Sequence, residues 1–319
     1  MNQPFNFCYY GLLLQCQSEN FLWTKILTDK FVNFKPGATH SFTTQKIVFN
    51  FHNFSSSEPL INYEIYSPFL YLADNKLLLK HDYLLTSTSI LYRFHQEKLH
   101  SIDFYFKSNF LFELANFLSQ GILKTQLFQN LLQLYLEQAL LFILCRENKL
   151  NCLHAAAVEK KSQVFIFAGK NGVGKSTLAQ QLDARFGYQH FADNYLLIDK
   201  KYAYFAPDTI RLNKKSLKFL KLPAKNYFGF SKYNVDLSKE FISSYLKSKI
   251  KAIFLISRSQ QKYFHQESKN KILSTILNLQ IINQEEIKTS PLAQYFSHLD
   301  LSLGKYPSCS YYSLNLKNL

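Results

Sequence analysis

The chain opens on short apolar runs divided by polar turns. Residues 9–16, 46–51, 63–66, 89–94 and 102–106 are rich in Val, Ile, Phe, Tyr and Leu. Turn-forming pieces such as Lys35-Pro36-Gly37, Ser55-Ser56-Ser57 and Asp74-Asn75 lie between them. Runs of that length bounded by such residues predict strands, here in a mostly antiparallel arrangement. From about Ser108 the period lengthens. Residues 111–118 and 123–144 carry apolar side chains at helical spacing with few breakers. The stretch 139–144 is apolar all round, which predicts burial. A polar turn follows at residues 146–149.

The next part of the chain alternates strand and helix signals. Residues 152–158 form a short strand-like run, and 164–168 (VFIFA) are continuously apolar, as in a strand buried on both faces. A glycine-rich loop comes next, then a helical segment over 176–186, a strand over 195–198 and a buried-type strand over 252–256. The fold expected is α/β (α+β overall). A β-rich region spans 1–110 and a helical connection 111–150. A nucleotide-binding domain with a mixed sheet spans 151–319.

Composition narrows the class. The chain has 319 residues, 47% of them apolar, which suits about two domains at ~150 residues each. Five cysteines, Cys8, Cys16, Cys145, Cys152 and Cys309, are scattered without a CxxC pair. A disulfide framework or zinc site is not expected, and a reducing, cytoplasmic setting is. The N-terminus lacks the basic and long apolar regions of a signal peptide. The apolar stretch 131–145 is interrupted by Gln133, Glu137 and Gln138 and is shorter than the ~20 residues of a membrane helix, so no span is expected. Residues 200–319 hold 20 Lys and Arg against 7 Asp and Glu. Those lysines form no tight cluster with interleaved aromatics, so nucleic acid is not the expected partner.

Residues 169–176 read Gly169-Lys170-Asn171-Gly172-Val173-Gly174-Lys175-Ser176, and Thr177 follows. This is GxxxxGK[ST] complete, between a strand signal and a helix signal. The chemistry requires that spacing. Glycines allow the backbone to turn and approach phosphates closely, and the loop N–H groups converge on the anion at a helix N-terminus. Lys175 would reach the β- and γ-phosphates, and the Ser176 hydroxyl would bind Mg²⁺. A nucleoside triphosphate, ATP with Mg²⁺, is the expected ligand. The base preference stays open.

Leu153-His154-Ala155-Ala156-Ala157-Val158 precede the loop and Phe191-Ala192-Asp193-Asn194-Tyr195 follow it. This frame resembles the HPr kinase/phosphorylase-like family, whose fold is also similar to the nucleotide-binding part of ATP-dependent phosphoenolpyruvate carboxykinases. Weaker likenesses continue at Pro207-Asp208-Thr209-Ile210-Arg211-Leu212, at 252–258 and at 311–314. The resemblance implies transfer of the γ-phosphoryl of ATP to a Ser/Thr hydroxyl of a protein or peptide. It implies Asp193 as a metal ligand or as the base that accepts the hydroxyl proton, and His154 as a contact to the phosphate or its acceptor. Arg211 or Arg258 would steady the transferring charge. The chain departs from the family at three places: Thr177 follows the loop where glutamate is usual, Asn194 stands where a second acid is usual, and the family's second signature near the C-terminus has no match. Asn194 keeps open a nucleotide-binding regulatory module with little catalysis, since an amide cannot serve as a base. A small-metabolite kinase is the other alternative. Enzymes of the family proper form hexamers, so a homo-oligomer stays open.

Overall fold

The computed structural model describes residues 5–9, 12–18, 46–52, 62–67, 69–82, 86–96, 98–119, 139, 142–143, 145–146, 150–193, 195–204, 210–212, 233–235, 247–259, 263–278, 307 and 309–317. The chain is mixed α/β and divides into two compact units, Met1–Ile143 and Leu144–Leu319.

The first unit holds an eight-stranded sheet: β1 (Phe5–Tyr9), β2 (Leu12–Ser18), β3 (Lys46–Phe51), β4 (Glu64–Ser67), β5 (Leu70–Ala73), β6 (Lys76–Asp82), β7 (Thr86–His95) and β8 (Lys98–Ser108). Their spatial order is β1-β2-β3-β8-β7-β6-β5-β4. Antiparallel pairing dominates, as the short alternating runs predict, but β2, β3 and β8 run parallel to one another. Alternation sends Ile47, Phe49 and Phe51 of β3 and Ile102, Phe104 and Phe106 of β8 to one face, where all are buried. The rings of Phe51 and Phe104 stack there at 4.7 Å. On the opposite face Asp103 is buried and gathers Asn50 Nδ2 at 2.6 Å, His52 Nε2 at 3.3 Å and the Arg93 guanidinium.

Helix α1 (Phe110–Leu118) starts at Asn109, whose side chain accepts from the Phe112 amide at 2.9 Å. Most of the second predicted helix, 123–144, lies outside the described residues. Ala139, Phe142 and Ile143 are helical, Ala139 and Ile143 are fully buried, and Phe142 packs on Tyr92. Two sequence expectations need correction. The run 9–16 is not one strand, for β1 ends at Tyr9 and β2 begins at Leu12; an apolar run carries no mark of a chain reversal beyond Gly11. The strand expected at 152–158 breaks at His154.

The second unit is built on a nine-stranded sheet: β9 (Asn151–Leu153), β10 (Ala155–Lys160), β11 (Gln163–Ala168), β12 (Gln189–Ala192), β13 (Leu196–Ile198), β14 (Tyr202–Tyr204), β17 (Lys247–Ser259), β18 (Tyr263–Gln266) and β19 (Ser310–Lys317). The long strand β17 organises it. One edge of β17 pairs with β11, and the other takes β14 and then β19. β11, β17 and β19 run parallel and the remaining pairs are antiparallel, so the sheet is mixed, as expected. A small sheet of β15 (Ile210–Leu212) and β16 (Tyr233–Val235) completes the strands. Helix α2 (Lys175–Phe186) follows β11, and α3 (Lys269–Asn278) packs on β19. Among the described residues no helix is long and apolar enough to cross a membrane.

Candidate active site

Strand β11 ends at the glycine loop, and packing fixes where that end lies. Val164, Ile166, Phe167 and Ala168 are buried. So are the small residues Ala155, Ala156 and Ala157 of the neighbouring strand β10. Their size lets α2 lie close to the sheet, where Ala179 packs with Ala156, Val158, Phe167 and Ile256. Val173, Leu178 and Leu182 join this cluster from the loop and helix. The loop is thereby tied to the sheet by its own apolar side chain.

The loop has the backbone that its glycines predict. Gly174 takes φ +104° and is the N-cap of α2, so no side chain caps the helix, and the first turn holds no acidic residue. The first-turn amides of α2 are therefore not capped by a side chain of the helix itself. At Gly169 a methyl group would collide with the Ile256 carbonyl oxygen, so only glycine lets β11 leave the sheet there.

Lys175 is 7% exposed, and its ammonium donates to the carbonyls of Gly169 at 2.9 Å and Lys170 at 3.1 Å. It lies folded into the curve of the loop. The Ser176 hydroxyl donates to Asp193 Oδ1 at 2.6 Å. Asp193 is 2% exposed and follows β12, whose Ala192 pairs with Ala157 of β10. Hydroxyl and carboxylate oxygens side by side are the hard donors that Mg²⁺ takes. The residues present therefore fit a magnesium ion together with the phosphates it accompanies.

His154 sits in the break between β9 and β10. Its Nε2 and the Asn171 side-chain oxygen are 2.7 Å apart, and Tyr195 meets the imidazole edge-on at 6.0 Å. Arg258, near the end of β17, donates from Nε to the Val173 carbonyl at 2.9 Å. Of the expected site residues, the structure thus gathers Lys175, Ser176, Asp193, His154, Asn171 and Val173. Lys170 and Gly172 stand exposed on the loop, and Thr177 is half-buried in the first turn of α2. Arg211 is placed only by its backbone, opposite Asn234 in the small sheet, and that sheet's β15 lies near α2. Among the described side chains, Arg258 is an arginine bonded to the loop. Asn194 lies outside the described residues.

Sequence reasoning missed the pair behind the helix. Asp183 of α2 and His190 of β12 are both buried. Burial pushes the Asp183 carboxyl up to about 6, and the charge of His190 works in the opposite direction. A polar residue at a core-facing helix position was the only available signal.

No protein-family model matches the chain, and no curated protein matches it. Among solved structures the chain is similar to the Hpr(Ser) kinase/phosphatase from Coxiella burnetii. The match covers 53% of this chain and 86% of that one, at 11% identity and a TM-score of 0.26. At that score and identity the likeness fixes neither an activity nor a site.

Proposed function

We propose that the loop binds the phosphates of ATP and that the protein transfers the γ-phosphoryl group to a Ser/Thr hydroxyl of a protein or peptide. One observation carries this reading: the buried Lys175 ammonium inside the glycine loop lies next to the Ser176–Asp193 pair. Lys175 and the first-turn amides of α2 would bind the β- and γ-phosphates, and the Ser176 hydroxyl would hold Mg²⁺, which leaves the Asp193 carboxylate to act as the base. The ion neutralises phosphate charge when bound. As the acceptor oxygen bonds to the γ-phosphorus, the bridging P–O bond to the β-phosphate breaks and ADP leaves. Asp193 takes the hydroxyl proton. His154, held by Asn171, orients the acceptor, and Arg258 adds positive charge beside the loop. Positioning and electrostatics thus carry the catalysis.

Asn194 favours a second reading, a module that binds nucleotide and transfers nothing. The two are separated by incubating the protein and its Lys175→Ala variant with γ-labelled ATP, Mg²⁺ and a panel of acceptors. The panel holds HPr, serine peptides and small hydroxyl metabolites. Label on a protein or peptide with wild type alone supports the kinase. ATP retained by wild type alone with no label moved supports the module, and label on a metabolite alone makes it a small-molecule kinase. Failure to bind ATP removes all three.

A further inference from the structure

Strand β18 closes one side of the second sheet, and among the described residues only β19 pairs with it. The amide of Glu267 donates to the Tyr311 carbonyl at 2.9 Å. Bonding alternates along an antiparallel pair, so His265 and Tyr263 also face β19. The N–H and C=O groups of Phe264 and Gln266 then point to the free edge. Among the described residues no strand pairs with that edge, and all four residues of β18 are exposed. Exposed edges are usually protected by lysine, proline or a bulge. β18 reads Tyr-Phe-His-Gln and its pairing with β19 is regular, so it carries none of these.

The side chains make this edge adhesive. Phe264 is 61% exposed and stacks on Tyr312 at 5.1 Å, and Tyr312 stacks on Phe254 at 5.2 Å. This row of rings crosses three strands on the face that carries α2, where Phe254 also packs against the cluster beneath the helix. The orientation links the edge to the candidate active site. Tyr263 pairs with Asn315, and the next residue, Leu316, pairs with Arg258, whose Nε bonds the glycine loop. The Tyr263 end of β18 is therefore the loop end of the sheet. A strand added beyond β18 would lie four strand spacings from β11, about 19 Å at ~4.8 Å each. About six extended residues cover that distance.

Charge favours an acidic partner. Lys269 and Lys271 lie in α3, which follows the Gln266 end of β18, and Arg258 lies on β17 towards the Tyr263 end. Among the described residues the acid beside them, Glu267, already accepts from His265 at 2.5 Å and Lys271 at 2.7 Å. We propose that β18 docks the phosphoryl acceptor as an added strand. The docked segment is extended and acidic, sets an aliphatic or aromatic residue against Phe264, and carries its reactive hydroxyl about six residues beyond the Tyr263 end. This rests on the kinase reading above.

The test uses the full-length protein and a fluorescein-labelled peptide. The peptide has a six-residue core of alternating Val and Glu, a Gly/Ser spacer and a terminal serine. Two further peptides carry N-methyl groups on the odd or on the even core residues. Strand addition predicts binding by the parent, a loss of at least tenfold in one methylated frame and little loss in the other. Gln266→Pro removes an outward amide and no bond to β19, so it should weaken the parent peptide by at least tenfold at an unchanged melting temperature. The methylated pair keeps the test valid if that variant misfolds. The proposal is overturned if no peptide binds, or if both frames bind equally. It is also overturned if a concentration-dependent dimer, lost in Gln266→Pro, occupies the edge with no peptide bound. These outcomes leave ATP binding and transfer to other acceptors untouched. Peptide bound in one frame but never phosphorylated would instead count against the kinase.

Discussion

Asp183 shows how one residue behind the candidate site couples stability to pH. Its carboxyl is raised to about 6 because burial between α2 and β12 penalises the charge, with the charge of His190 opposing. A raised folded-state value gives stability that is present below the unfolded value near 4 and lost as pH rises through about 6. Asp183→Asn should therefore match wild type at about pH 4 and exceed it above about pH 7. The gain should be on the order of 1–2 kcal/mol after solvent screening. Denaturant unfolding across that range checks it, and a difference independent of pH would place the carboxyl in water. Lys175 is the opposite case. Its burial is matched by two carbonyl acceptors of the loop, contacts that the sequence reading, which sent Lys175 to phosphates, did not contain.

At the scale of elements, strand registers assemble what no single segment contains. Asp103 on β8 meets Asn50 of β3, the adjoining His52 and Arg93 of β7 because those strands lie side by side. Burial alone would raise this carboxyl, but hydrogen bonds from His52, Arg93 and Asn50 outweigh it and hold it below the usual range. Stability from a lowered carboxyl is present above the unfolded value and is lost as pH falls through the folded one. Asp103→Asn should cost about 3 kcal/mol at neutral pH, with the gap closing below about pH 4. Guanidinium unfolding at the two pH values decides. Asp74 and Asn75 were legible as a turn, and Asn75 takes the left-handed φ of +56° between β5 and β6. The strands beside that turn were not legible. Tyr71 and Lys76 blur the alternation, and only pairing with β5 and β7 places β6 in the sheet.

At the scale of the molecule, every residue proposed to meet nucleotide lies within Leu144–Leu319. ATP with Mg²⁺ at a hundredfold above Kd should stabilise that unit by ~2.7 kcal/mol. Hydrogen exchange should slow in the glycine loop and the first turn of α2, while β3, β7 and β8 exchange as before. Equal slowing in both units would show a coupling that the site's composition does not require.

The sequence by itself determined the α/β character, the position of the glycine loop and the helix behind it. These depend on local features: hydrophobic period, and glycines whose conformations are set by their immediate neighbours. Only the tertiary structure decided which side chains meet that loop. His154 reaches Asn171 and Asp193 reaches Ser176 across 17 residues, and Arg258 reaches Val173 across 85. Such contacts depend on strand order and register, which shift a side chain by a whole residue spacing or turn it to the other face. The same holds for β18: only the sheet shows that, among the described residues, one of its edges has no partner strand.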